Sequence, residues 1–185
     1  LNKERILSMQ DGLHQIIKIP DTLYKTTKGI KQSNGITVSQ MRVPLGVIGM
    51  IYESRPNVTI DSAGLCIKSG NSVILRGGSE SINSNKALMT CITKALKDNG
   101  VHQHMVQLVG TTDRSAVTHL LSKSEHIDVI IPRGGKGLIE KIVSCSKIPT
   151  IKHLDGNCHV YIDETADANK AINISINSKT QRYGV

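Results

Sequence analysis

The sequence predicts an α/β fold, a mostly parallel sheet with helices on both faces. From residue 45 onward, short β-branched apolar runs alternate with longer stretches of helical periodicity, and the connections are short, the mark of repeated βα units. The run Val47-Ile48-Gly49-Met50-Ile51-Tyr52 is apolar throughout, as a strand buried on both faces must be. There is no Phe or Trp and there are only four Tyr, so Ile, Val, Leu and Met must fill the core. That composition suits tight α/β layers better than an aromatic-rich sandwich. A length of 185 residues fits one domain, or one domain with an appendage.

Residues 1–18 predict an amphipathic helix, with Ile6, Met9, Leu13, Ile16 and Ile17 at helical spacing and Pro20-Asp21 stopping it. Residues 21–35 are polar and hold Lys28-Gly29 and Asn34-Gly35, a connection or hairpin turn. Residues 36–40 alternate, which predicts a short strand with one exposed face. Strand 47–52 leads through Glu53-Ser54-Arg55-Pro56-Asn57 into a helix over 58–69, and Gly70 supplies the left-handed stop. Strand 72–76 is followed by Gly77-Gly78-Ser79-Glu80 and a long helix over 81–98, closed by Asn99-Gly100. A third strand spans 105–109, and Thr112-Asp113 caps a helix through Leu121. Strand 127–131 runs into Pro132-Arg133-Gly134-Gly135-Lys136-Gly137 and a helix to Ser144. Residues 150–154 and 159–162 predict two further short strands, and 166–178 a final helix. The whole reads as Rossmann-like.

Lys and Arg outnumber Asp and Glu by 23 to 15, for a formal charge of +8. A basic balance suits nucleic acid, an anionic surface or phosphorylated ligands. The lysines are dispersed, however, and base-stacking aromatics are nearly absent, which argues against a single-strand binder. The four cysteines form no close pair, so a zinc ribbon is not expected. Cys66, Cys91 and Cys145 fall in helical patterns, where a small buried thiol is the usual role. No leader and no bilayer-length apolar run occurs, and a reducing, cytoplasmic setting is expected. Leu1 enters a helical pattern directly and Val185 closely follows a polar segment, so the sequence is expected to be a fragment.

Chemistry is expected at the carboxyl ends of the strands, where open α/β sheets bind ligands. Arg55 and Asn57 stand there first. Two strand ends also run straight into glycine, at Arg76-Gly77-Gly78-Ser79-Glu80 and at Arg133-Gly134-Gly135-Lys136-Gly137. Glycine lets backbone approach a ligand, a helix start offers N–H groups to phosphate, and each loop has an adjacent Arg. Glycine at such turns also serves purely steric ends. Neither loop is a Walker motif or a G-x-G-x-x-G. His153-Leu154-Asp155-Gly156-Asn157-Cys158-His159 collects metal-ligand types, but the two His lie at opposite ends of a turn without helical spacing. A polar loop facing a substrate and a plain Asp-Gly turn both fit better than a metal site.

Taken together, several stretches closely resemble the gamma-glutamyl phosphate reductases (glutamate-5-semialdehyde dehydrogenases) of the aldehyde dehydrogenase superfamily. They are Val43–Gly49 with Tyr52–Thr59, Leu65–Glu80, Ile130–Ile139, Ile151–Gly156 and Lys179-Thr180-Gln181-Arg182. The resemblance covers nearly the whole chain. It implies an aldehyde dehydrogenase-like cofactor-binding domain plus the start of a catalytic domain, divided as 1–44 (helix and connecting strand), 45–156 (Rossmann-like NADPH-binding domain) and 157–185. It also implies NADPH-dependent reduction of L-glutamate 5-phosphate to the 5-semialdehyde with release of phosphate, the second step of proline biosynthesis. A small-molecule substrate and a homo-oligomeric whole protein are implied, with neither nucleic acid nor membrane as partner.

By position, the resemblance assigns Arg76, Gly78, Ser79 and Glu80 to the adenosine ribose end, with Arg76 suited to the 2′-phosphate of NADPH. Gly134, Gly135 and Lys136 correspond to a loop and helix start that pack on the cofactor. Asn57, or Arg55 beside it, falls near the oxyanion asparagine, and His153 and Asp155 belong to the substrate loop. His153 stands where oxidising members carry a glutamate base, whose absence suits a reductase. In the family a cysteine thiolate attacks the acyl carbon and the thioester is reduced by hydride. That cysteine is expected just after Val185, Tyr183 replaces a usual proline, and Cys158 is not in the nucleophile's position. The alternatives are a basic Rossmann-like module for anionic partners, and an NAD-dependent aldehyde oxidiser.

Overall fold

The computed structural model describes residues 1–152 and 159–181. The chain forms two compact units, residues 1–152 and residues 153–185. In the first, helix α1 (Lys3–Lys18) precedes a small antiparallel hairpin of β1 (Ile30–Lys31) and β2 (Thr37–Val38). Then follow β3 (Val47–Tyr52), α2 (Pro56–Lys68), β4 (Ser72–Arg76), α3 (Ile82–Asp98), β5 (Val106–Leu108), α4 (Ser115–Leu121), β6 (Val129–Arg133) and α5 (Lys136–Cys145). In the second unit, α6 (Ala168–Thr180) is capped by the Asp167 carboxylate, which accepts from Lys170 N at 2.8 Å.

The four strands β3 to β6 are parallel and lie in the order β5-β4-β3-β6. The chain steps outward from β3 to β4 to β5, then returns to the other flank of β3. The order therefore reverses between β3 and β6, and the crevice at their carboxyl ends is the place where such folds take ligands. On one face Ile48, Tyr52, Val73, Leu75 and Val106 pack with Met9, Val58, Ala63, Ile92 and Leu96 from α1, α2 and α3. On the other, Ile51 and Ile130 pack with Leu121, Ile127, Ile142 and Ile148, from α4, α5 and their flanking turns. Helix α1 lies on α2 through small residues: a Cβ at Gly64 would come within 3.0 Å of Leu13 and 3.2 Å of Ile16.

Several element boundaries differ from the sequence expectation, each for a local reason. Helix α2 starts earlier, at Pro56, whose fixed φ suits the first helical position. The strand expected at 127–131 begins at Val129, because His126 and Ile127 N–H groups still bond back to Lys123 O. Met105 closes a 3-10 turn (Gln103–Met105) and so does not belong to β5. Asp113 does not cap α4 as expected. Its carboxylate accepts from Ser115 N and Ser115 Oγ in a local turn, and the helix starts behind Arg114 without a side-chain cap.

Both residues of β2 are exposed, rather than one face being covered. Of the strand expected at 150–154, Thr150 alone forms a bridge, to Ile130, and 153–154 lie outside the described residues. Residues 159–162 form no strand. Cys66 is buried as expected and burial pushes its thiol up to about 11, but Cys91 and Cys145 are exposed. Helical periodicity places them on a helix without saying which side is outward.

Candidate functional site

The carboxyl ends of β3, β4 and β6 converge on one turn, Glu53-Ser54-Arg55. Glu53 N donates to Arg133 O at 3.1 Å, continuing the β3–β6 ladder one step beyond the strands. The Glu53 carboxylate then crosses to the opposite loop, where Oε1 accepts from Gly135 N at 2.7 Å. Gly134 lies under that carboxylate: a Cβ there would be 2.7 Å from Oε1 and 2.8 Å from Leu138 Cδ2. On the β4 side, a Cβ at Gly78 would be 2.7 Å from Ser54 Oγ and 3.0 Å from Ser54 N. One at Gly77 would strike Asn85 Nδ2 and lie 3.0 Å from the Tyr52 ring. Gly77, Gly78 and Gly134 thus answer to protein packed against protein, the steric alternative left open by their sequence pattern, whereas a Cβ at Gly135 would meet Glu53 Oε1 only at an ordinary 3.5 Å.

Beneath the Gly77-Gly78 loop runs a buried polar chain. Tyr52 Oη and Thr59 Oγ1 are 2.7 Å apart, and Thr59 Oγ1 donates to Asn85 Oδ1 at 3.0 Å. A threonine hydroxyl has one proton, so Tyr52 must be the donor in the first bond. Asn85 Nδ2 has no partner. This chain links β3, α2 and α3 at the level where the three strands end.

Arg76, the last residue of β4, is 7% exposed. Its Nη1 donates to Gly77 O at 2.6 Å, and Nη2 donates to Thr112 O and Asp113 O, both at 3.2 Å. The guanidinium fork expected to meet a phosphate is therefore turned onto three carbonyls, tying the β4 loop to the loop after β5. Its Nε is buried with no partner. Ser79 and Glu80 sit exposed on the 3-10 turn that follows, and Gly134, Gly135 and Lys136 are exposed at the start of α5.

Arg55 and Asn57 flank Pro56 at the start of α2, both exposed. The Asn57 amide donates along the helix to Asp61 Oδ2 at 3.3 Å, so Arg55 is the freer of the two for a ligand. Burial pushes the Asp61 carboxyl above its ordinary 3.8, the Asn57 bond opposing this more weakly. A carboxyl whose folded value is raised binds its proton more tightly when folded, so the chain loses stability as pH rises past 3.8 and through the raised value. Asp61→Asn, which retains an acceptor for Asn57, should be more stable than the parent at pH 7 and no different below pH 3.8, as read from urea denaturation at both pH values.

His153 and Asp155 lie outside the described residues, as does Cys158. Among the described residues no group of three His, Cys, Asp or Glu could hold a metal ion, and no helix is long and apolar enough to cross a membrane. Glu53, Tyr52, Thr59 and Asn85 are the site residues that the sequence alone did not single out. Glu53 carried one readable signal, a carboxylate at a strand end within reach of a helix that starts with Gly-Gly and has no acid in its own first turn.

A parallel sheet whose strand order reverses between β3 and β6, with a buried arginine at the end of β4, is the doubly wound α/β architecture on which dinucleotide-binding domains are built. Residues 2–184 match the aldehyde dehydrogenase family, and the chain belongs to that family. It is 55% identical over its full length to the gamma-glutamyl phosphate reductase of Ruthia magnifica subsp. Calyptogena magnifica, of which it spans 44%. Solved structures of the same enzyme are similar. That of Thermotoga maritima has a TM-score of 0.86 and 41% identity, over 98% of this chain and 44% of that one. That of Saccharomyces cerevisiae has a TM-score of 0.72 and 35% identity, over 98% and 46%. The chain thus spans less than half the length of the relatives it matches.

Proposed function

We propose that this chain supplies the NADPH-binding part of an enzyme that reduces L-glutamate 5-phosphate to L-glutamate 5-semialdehyde with release of phosphate, a step of proline biosynthesis. The convergence of β3, β4 and β6 at the switch point, with Arg76 buried at its β4 side, carries the reading. The buried Nε of Arg76 without a partner fits a site that a ligand completes. When bound, NADPH supplies a hydride to the acyl carbon. Arg76 holds the Gly77 and Thr112-Asp113 carbonyls in place and lends positive charge, Ser79 and Glu80 face the ribose end, and the Gly134-Gly135-Lys136 turn borders the cofactor. Arg55 meets the acyl phosphate from the β3 side beside Asn57, and the resemblance assigns His153 and Asp155 to the substrate as well.

None of the described cysteines suits the nucleophile's role, since Cys66 is buried with a raised thiol and Cys91 and Cys145 face outward on α3 and α5. The nucleophile is assigned to a residue after Val185, and the 185 residues by themselves are expected to bind cofactor without turnover. The whole enzyme is placed in the cytoplasm as a homo-oligomer, consistent with the exposed Ile30 and Val38 of the hairpin. Titration of NADPH and NADH into the chain and into Arg76→Ala tests the reading. NADPH affinity should fall about tenfold in the variant, with a smaller loss for NADH. Equal NADPH affinity in both proteins would overturn the Arg76 assignment. The other reading, a basic module for anionic partners, draws on Lys86, Lys94 and Lys97, which line a groove between α3 and the end of β5. It requires duplex DNA binding that falls steeply with salt, and no preference for a nicotinamide nucleotide.

A further inference from the structure

We propose that Glu53 is an internal competitor for the diphosphate of the bound nucleotide, holding with its own carboxylate the backbone donor that the diphosphate would otherwise take. The inference rests on the nucleotide reading above and adds a residue to it. Helix α5 begins at the switch point, where its free N–H groups and dipole attract an anion. Its cap residue is Gly135, which has no side chain to satisfy those groups, and its first turn contains no acid. The anion arrives instead from β3, 82 residues earlier in the chain: Glu53 Oε1 accepts from Gly135 N at 2.7 Å, the length of a charge-assisted bond.

This contact is built into the loop. A side chain at Gly134 would displace the carboxylate, since its Cβ would stand 2.7 Å from Oε1 and 2.8 Å from Glu53 Cδ. At its other end Glu53 is anchored by the bond from its own N–H to Arg133 O. The carboxylate is nevertheless on the surface, so the crevice holds a fixed negative charge exposed to whatever enters. A diphosphate approaching α5 must displace Glu53 or bind beside it against like-charge repulsion. Either way affinity is lowered.

The test compares Glu53→Gln with the parent chain by calorimetric titration of NADPH, ADP and adenosine. Glutamine keeps an oxygen for Gly135 N and removes only the charge. The expected result is about tenfold tighter NADPH and ADP in the variant, an unchanged adenosine affinity, and a gap that narrows as salt is raised. NADPH bound by both proteins with equal or weaker ADP affinity in the variant would overturn the role of Glu53 and leave the nucleotide reading standing. Equal tightening of ADP and adenosine would likewise overturn it, because loop reshaping and not charge would then be responsible. Failure of both proteins to bind NADPH would overturn the two readings together.

Discussion

Thr59→Val should destabilise the chain by about 2–6 kcal/mol, although it exchanges one β-branched side chain for another of nearly the same shape. Thr59 and Asn85 are fully buried and Tyr52 is 2% exposed, so no water replaces what the hydroxyl provides. In the native chain Thr59 accepts from Tyr52 and donates to Asn85. Valine leaves the Tyr52 hydroxyl and the Asn85 carbonyl both without a partner, and each orphaned buried group costs about 1–3 kcal/mol. Asn85 Nδ2 already lacks one, so the amide would then be buried with neither end satisfied. Tyr52→Phe removes only the terminal donor and should cost about 0.5–1.5 kcal/mol. A denaturation midpoint for Thr59→Val within error of that for Tyr52→Phe would show that the chain is not cooperative in this sense.

The same network has a pH signature. Burial raises the Tyr52 phenol above its ordinary 10.0, more than the Thr59 bond lowers it. The folded state holds that proton more tightly, so the stability is intact below pH 10 and declines as pH rises beyond it. In Tyr52→Phe this alkaline decline should be shallower.

Strands such as β3 and β4 are legible because burial on both faces leaves an uninterrupted apolar run, and β3 has the bounds that its composition predicts. The termini of helices are legible where a residue acts on its own backbone, as Gly70 does at a φ of +70°. What was not legible depends on partners distant in the chain. Arg76 shows its charge at a strand end, but two of the three carbonyls that claim it lie 36 and 37 residues on. Asn85 sits in the polar stretch Ser81-Ile82-Asn83-Ser84-Asn85 and reads as solvated. It is buried because Gly77 leaves space for its amide against Tyr52. Glu53 had no local reason to bond Gly135, a contact that exists only once β3 and β6 are neighbours. The site is hence readable to the level of which loops converge, while the bonds that set its electrostatics come from strand order.

Gly46→Ala should cost about 2–6 kcal/mol, and the loss should split into two separable parts. Gly46 has a φ of +114°, a conformation nearly closed to residues with a Cβ, and forcing alanine into it costs about 1–3 kcal/mol. The added Cβ would also collide with the Asp128 carboxylate. That carboxylate accepts from Val47 N at 2.7 Å while Asp128 N donates to Val47 O at 2.9 Å, which sets the start of the β3–β6 pairing. Gly46 itself donates to Asn71 Oδ1 at 2.9 Å and accepts from Ser72 N at 3.0 Å, which sets the start of β3–β4. In an Asp128→Ala background the collision is gone, so Gly46→Ala should cost only the backbone part, and the double-mutant cycle should show a coupling of about 1–3 kcal/mol. Strictly additive losses would mean that the carboxylate moves aside freely and that β3 is positioned by its apolar core alone. A measured coupling would mean that the register of β3 is held at its first residue. Glu53, seven residues on, then reaches Gly135 because Gly46 admits no side chain.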